Sequence, residues 1–159
     1  MPLFNAREEK QIQNWNQNRD LNEIDKKKGK PEPVRIKLIT TQHSESDQFI
    51  AIAEKLAQIS SSLLIHSKET QNNLPGFLLK ENIMYSAFPL AKELEPFLEA
   101  LEQLNGKQPQ SSAHSLSDAT RKTLETIDIP VNLKLYIALQ CPYCPDVVRT
   151  LIPMALHCS

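Results

Sequence analysis

Two stretches of the chain carry the same pattern, and that repetition limits the folds open to it. In Val34-Arg35-Ile36-Lys37-Leu38-Ile39-Thr40-Thr41 apolar residues alternate as in a half-buried strand, and Phe49, Ile50, Ala53, Leu56, Ala57 and Ile59 then recur at helical spacing. In Asn132-Leu133-Lys134-Leu135-Tyr136-Ile137-Ala138-Leu139 the alternation returns, and Val147, Val148, Leu151, Ile152, Met154 and Ala155 follow at helical spacing. Each stretch reads as strand, turn, helix. Residues 34–60 and 132–157 therefore predict two copies of one α/β unit, the second cut short.

The segments between them fill in the first copy. Leu63-Leu64-Ile65-His66 reads as a short buried strand, and Phe77–Lys80 with Ile83–Phe88 as two strands around a Glu81-Asn82 turn. Ser44 is the expected cap of the first helix, with Asp47 three residues on. A later helix is expected from about Leu94 to Asn105, with Pro96 tolerated in its first turn, Leu94, Phe97, Leu98, Leu101 and Leu104 facing inward, and Gly106 as its stop. Strand, helix, strand, hairpin, helix is the order of a thioredoxin fold, a small mixed sheet with helices on both faces. The expected organisation is a helical and linker segment at 1–33 anchored by Trp15, a first thioredoxin-like unit at 34–106, a linker at 107–114 and the start of a second unit at 115–159. That second part would open with a helix at about Ser117–Ile127.

The second copy holds the chemistry. Cys141-Pro142-Tyr143-Cys144-Pro145-Asp146 places two thiols where a strand turns into a helix, so Cys141 would meet unpaired backbone N–H groups and the positive end of the helix dipole. Both lower a thiol pKa. Pro142 and Pro145 suit the first helical turn and stiffen it. Cys141 is then the candidate attacking thiolate and Cys144, further in and more buried, the candidate resolving thiol of a redox-active disulfide. No metal or organic cofactor is needed for that exchange.

Two other readings of the pair compete with it. A zinc site could add His157, but a finger would need a second histidine a few residues later, and the sequence reaches only Ser159. Inert core cysteines fit poorly with Pro-Tyr between them and Pro-Asp after them. Cys158 has no such context and reads as a bystander. His43, His66 and His114 read as ordinary histidines, and Glu45 with Asp47 as helix-start charge.

Composition excludes several classes. No apolar run approaches a bilayer span, and Met1–Arg7 lacks the apolar centre of a signal peptide, so a cytoplasmic protein is expected. A net charge of -1 argues against nucleic acid, and Lys26-Lys27-Lys28 with Lys30 reads as a solvated linker. Only three glycines are present, and they form no dinucleotide-binding fingerprint.

Cys141-Pro142-Tyr143-Cys144-Pro145-Asp146-Val147-Val148, extended by Met154-Ala155, resembles the N-terminal domain of the alkyl hydroperoxide reductase flavoprotein subunit, within the group of glutaredoxin-like protein disulfide oxidoreductases. Pro89 with Glu93 and Leu74-Pro75-Gly76-Phe77 extend the likeness, which spans about residues 34–157. The resemblance implies two fused thioredoxin folds, the first without its redox pair. Here the matching turn is His43-Ser44-Glu45-Ser46-Asp47, which has no cysteine. It further implies that the second pair takes electrons from a flavin reductase module, which uses FAD and a pyridine nucleotide, and passes them to a peroxiredoxin. Nothing in this chain resembles that flavin- and nucleotide-binding part. The later strands of the second fold and their cis-proline loop are also missing, so a fragment or a truncated reading frame is expected.

Two functions follow. The first is a thiol–disulfide oxidoreductase module working through Cys141 and Cys144 in peroxide detoxification. The second is a binding or docking module whose redox-silent first unit is the stable part and whose cysteines do little.

Overall fold

The structure, a computed structural model, describes residues 3–24, 32–71, 74–106 and 115–158. The Lys26–Lys30 cluster, the 107–114 linker and His114 lie outside them. Ten elements follow in order: α1 (Ala6–Ile24), β1 (Val34–Thr40), α2 (Ser46–Ile59), β2 (Leu63–Glu69), β3 (Gly76–Lys80), β4 (Ile83–Tyr85), a single 3-10 turn (Ala91–Glu93), α3 (Leu94–Leu104), α4 (Asp118–Glu125) and α5 (Cys144–His157). No helix among the described residues is long and apolar enough to cross a membrane.

The sheet has the order β2-β1-β3-β4. β1 pairs with β2 in parallel, while β1 with β3 and β3 with β4 are antiparallel. This is the mixed sheet that the pattern at 34–106 predicts. Alternation decides its faces: Val34, Ile36, Leu38, Phe77, Leu79, Ile83 and Tyr85 are buried, whereas Arg35 and Lys37 are exposed. Phe77 on β3 meets Phe49 of α2 and Phe97 of α3, with ring centroids 5.6 and 5.3 Å apart. One strand residue points to one face only, so α2 and α3 cover the same side. The expectation of helices on both faces is thus corrected, because Arg35, Lys37, Leu64 and His66 keep the opposite side polar or open.

α1 is polar, yet it buries Ile12, Trp15 and Arg19. The Arg19 guanidinium lies 5.3 Å from the centre of the Trp15 ring and donates to the Glu32 carbonyl at 2.9 Å. Asn16 ties the helix to the α2–β2 turn, its Oδ1 accepting from Ser60 Oγ at 2.7 Å and the Ser62 amide at 3.1 Å. Trp15 does anchor the leading helix.

Three local expectations change. β2 runs on to Glu69, but as an edge strand it buries only Leu63. Ser44 does not cap α2; Ser46 instead donates to the Thr41 carbonyl at 2.7 Å and accepts from the Thr41 amide at 3.0 Å, which closes the β1–α2 turn from inside the helix. The third change is the strand expected at 132–139. Those residues form no ladder, and Leu133, Leu135, Tyr136 and Leu139 are exposed, with Ile137 alone half-buried against the core. Alternation specifies two faces, but a strand also needs a neighbour for its N–H and C=O groups, and none of the described residues supplies one.

Gly76 shows how tightly β3 meets β4. Its φ is +157°, and a Cβ there would come within 2.5 Å of the Tyr85 carbonyl oxygen and 2.9 Å of Ser86 Cα. Both contacts are backbone, so neither can move aside cheaply. Gly76→Ala is expected to lower stability by about 2 kcal/mol, read from urea unfolding; an unchanged midpoint would contradict this packing.

Candidate active site

The cysteines lie at the start of α5, and α5 is fixed by what it buries. Val148 and Ile152 enter the same core as α3 residues Leu94, Phe97, Leu98 and Leu101. Between them Arg149 reaches across to α3, its Nε 2.6 Å from Glu99 Oε2 and its Nη2 3.2 Å from Glu95 Oε2, while Nη1 lies 3.4 Å from Asp146 on its own helix. At the far end Asn82, in the β3–β4 turn, donates to the Ala155 carbonyl at 2.7 Å. α4, capped by Ser117 through the Thr120 amide at 3.1 Å, also packs on α5. The helix carrying the thiols is therefore clamped to the first sheet unit.

Its N-terminus differs from the expected form in one respect: Pro145 lies in the first turn, but Pro142 falls before the cap, outside the helix. Tyr143 occupies the cap position without a side-chain cap, Pro145 is buried in the first turn, and Cys141 precedes the helix with its amide bonded to the Ala138 carbonyl at 2.8 Å. Both thiols are free and both are half-buried. The expected greater burial of Cys144 is not seen. The two differ electrostatically instead.

The Cys141 pKa is held below the ordinary thiol value, first by a hydrogen bond from the Cys144 thiol and then by the Tyr143 and Cys144 backbone amides. The Cys144 pKa is pushed up, chiefly because its S–H is the donor in that bond. The same contact thus moves the two thiols in opposite directions.

A third group was visible in the sequence but not given a role. Glu93 lies at the end of the 3-10 turn, has no exposed surface, and accepts a hydrogen bond from the Tyr85 hydroxyl at 3.3 Å through Oε2. Its other oxygen has no hydrogen-bond partner among the described residues. Burial raises its pKa, against the pull of the Tyr85 hydrogen bond and the Arg149 charge, and its own charge raises the pKa of both cysteines. The signal that could have found it is a lone acid, followed by Leu94 and Phe97, at the start of an otherwise apolar helix face.

The remaining candidates stand apart. His157 ends the helix that Cys144 begins, roughly 20 Å away at 1.5 Å per residue, so the two cannot share one metal ion. It lies 3.4 Å from Glu125 instead. Cys158 is exposed just beyond α5. His43 and Glu45 lie 3.7 Å apart in the β1–α2 turn, an exposed pair.

A protein disulfide oxidoreductase from Aeropyrum pernix superposes with a TM-score of 0.72 over 99% of this chain and 69% of its own, at 13% identity. The fold is therefore thioredoxin-like α/β. Two proteins named NADH dehydrogenase, from Ferdinandcohnia aciditolerans and Bacillus subtilis, are 24% and 26% identical over 128 residues. Each alignment takes in 77% of this chain, which spans about a quarter of those relatives' length. No family model matches the chain.

The buried acid gives a pH-dependent prediction. Because Glu93 binds its proton more tightly folded than unfolded, its favourable contribution is full below the unfolded carboxylate pKa and is lost as pH rises through the raised folded value. Glu93→Gln keeps an acceptor for Tyr85 without the charge. It should be more stable than the parent at neutral pH by about 1 kcal/mol, with the gap closing near about pH 4. Urea midpoints at the two pH values check this; a gap of equal size at both would contradict it.

Proposed function

We propose that this chain is a thiol–disulfide oxidoreductase module that works through Cys141 and Cys144. The observation that carries the reading is the placement of two free, half-buried thiols around a helix N-terminus, Cys141 just before the cap and Cys144 opening α5, and the opposite directions in which their pKa values are moved support it. A likeness in fold to a protein disulfide oxidoreductase supports it.

The exchange balances without any further reactant. The Cys141 thiolate attacks one sulfur of a partner disulfide, forming a mixed disulfide and releasing the other partner sulfur as a thiolate that takes up a proton from water. Glu93, on the 3-10 turn that packs against α5, is the acceptor assigned to the Cys144 proton. The Cys144 thiolate then attacks Cys141 Sγ, releasing the second partner sulfur, which is protonated in turn. The partner gains two electrons and two protons, and Cys141–Cys144 is left as a disulfide. Run backwards, the same steps recharge the module.

In the finer reading, electrons arrive from a flavin reductase module and leave to a peroxiredoxin. The named relatives support it in one respect: they are called NADH dehydrogenases and are about four times the length of the matched segment. Flavin and pyridine nucleotide would belong to such a separate part, and no step above runs through them. A redox-silent docking role has less support, because it leaves the inequivalent thiols unexplained.

Cys141→Ser should abolish reduction of a protein disulfide such as that of insulin, and Cys144→Ser should accumulate a Cys141 mixed disulfide visible by mass spectrometry. A peroxiredoxin disulfide should be reduced faster than insulin. Undiminished turnover in Cys141→Ser would overturn the reading.

A further inference from the structure

The start of α1 reaches the thiol site by way of one carboxylate. Asn5 and Glu8 cap the helix reciprocally: Asn5 Oδ1 accepts from the Arg7 and Glu8 amides at 2.9 and 3.0 Å, and Glu8 Oε2 accepts from the Asn5 amide at 2.7 Å. In an ordinary cap of this kind the second carboxylate oxygen faces water. Here Glu8 is buried, and its Oε1 accepts from the Ala91 amide at 2.7 Å, across 83 residues of sequence.

Ala91 is an unusual place for such a bond. Its φ is +52°, the left-handed region that a residue with a Cβ seldom occupies unless something holds it there. It opens the 3-10 turn that ends in Glu93, and the turn is closed by the Glu93 amide donating to the Leu90 carbonyl at 3.0 Å. An open cleft of about 430 Å³ shows the same convergence, with Glu8, Ala91, Pro142 and Pro145 all on its walls.

We propose that Glu8 is a positioning residue for the thiol pair: by binding the Ala91 amide it holds the Ala91–Glu93 turn in its left-handed form and so keeps the Glu93 carboxylate buried on the turn that packs against the start of α5. α1, which precedes the sheet unit, is on this account part of the redox site. The inference rests on the proposed exchange chemistry, in which Glu93 handles the Cys144 proton. The titratable and charged groups that face Glu93 are Tyr85 from β4, Arg149 and the two thiols from the α5 side, and Glu8 acting through the turn. Glu95, Glu99 and Asp146 engage Arg149, and Lys92 is exposed.

The test is the pH profile of Cys141 alkylation by iodoacetamide in the full chain, resolved by site so that Cys144 and Cys158 do not confuse it. Glu93→Gln removes a negative charge near the sulfur, so its profile moves to lower pH. Glu8→Ala frees the turn, lets the carboxylate leave, and moves the profile in the same direction by about half a unit, or about threefold faster alkylation well below the midpoint. Glu8→Gln keeps an oxygen for Ala91 and falls between, which guards against loss of the α1 cap as the cause. Adding Glu8→Ala to Glu93→Gln produces no further shift.

A parental profile in Glu8→Ala beside a shifted one in Glu93→Gln overturns the positioning role and leaves the exchange chemistry standing. An additive shift in the double variant also overturns it, because Glu8 would then act independently of Glu93. A parental profile in Glu93→Gln removes the basis of the proposal. Loss of the exchange chemistry itself is read separately, as insulin turnover that survives in Cys141→Ser.

Discussion

The docking of α5 onto α3 is the constraint from which the rest of the site follows. Val148 and Ile152 lie one helical turn apart on one face and enter a core whose main members belong to the first sheet unit. Burying two such side chains contributes roughly 3–5 kcal/mol, more than the partly exposed ion pairs of Arg149 can offer on their own. What Arg149 adds is direction, since its fork meets Glu95 and Glu99 on α3 and sets how the helix sits on its neighbour. With the helix fixed, its N-terminal turn has one place to be, beside the 3-10 turn that presents Glu93.

At that junction opposing effects are combined. The Cys144 thiol and the helix-start amides favour a negative Cys141, while the Glu93 charge disfavours it. Glu93 itself is disfavoured as an anion by burial. The groups therefore compete for negative charge, and in the proposed exchange a proton released by one passes to another. An exchange centre needs that property: its sulfurs must alternate between attacking and leaving, and the proton must stay close.

Much of this was legible in the chain, for a reason that differs from element to element. Alternation at 34–40 and helical spacing at 94–104 report burial on one face, which local sequence encodes directly, and both elements formed where expected. Cys141-Pro142-Tyr143-Cys144 is likewise local, because a helix start and a nearby thiol are set by a few adjacent residues. The strand expected at 132–139 is not local: its side chains alternate correctly, but pairing requires another strand alongside. The roles of Glu8 and Glu93 were hidden for the same reason, since a capping glutamate and a helix-start glutamate look ordinary until the fold brings Ala91, Tyr85 and the thiols to them.

The division of labour between the two sulfurs is the claim on which the functional account stands, and thiolate absorbance in the ultraviolet measures it directly. Titrated with Cys158 replaced by serine, the reduced protein should gain one thiolate below the ordinary thiol range and a second above it, and Cys144→Ala should move the first back toward that range. Two thiolates appearing together at the ordinary value, with Cys141 indifferent to the loss of Cys144, would contradict the account.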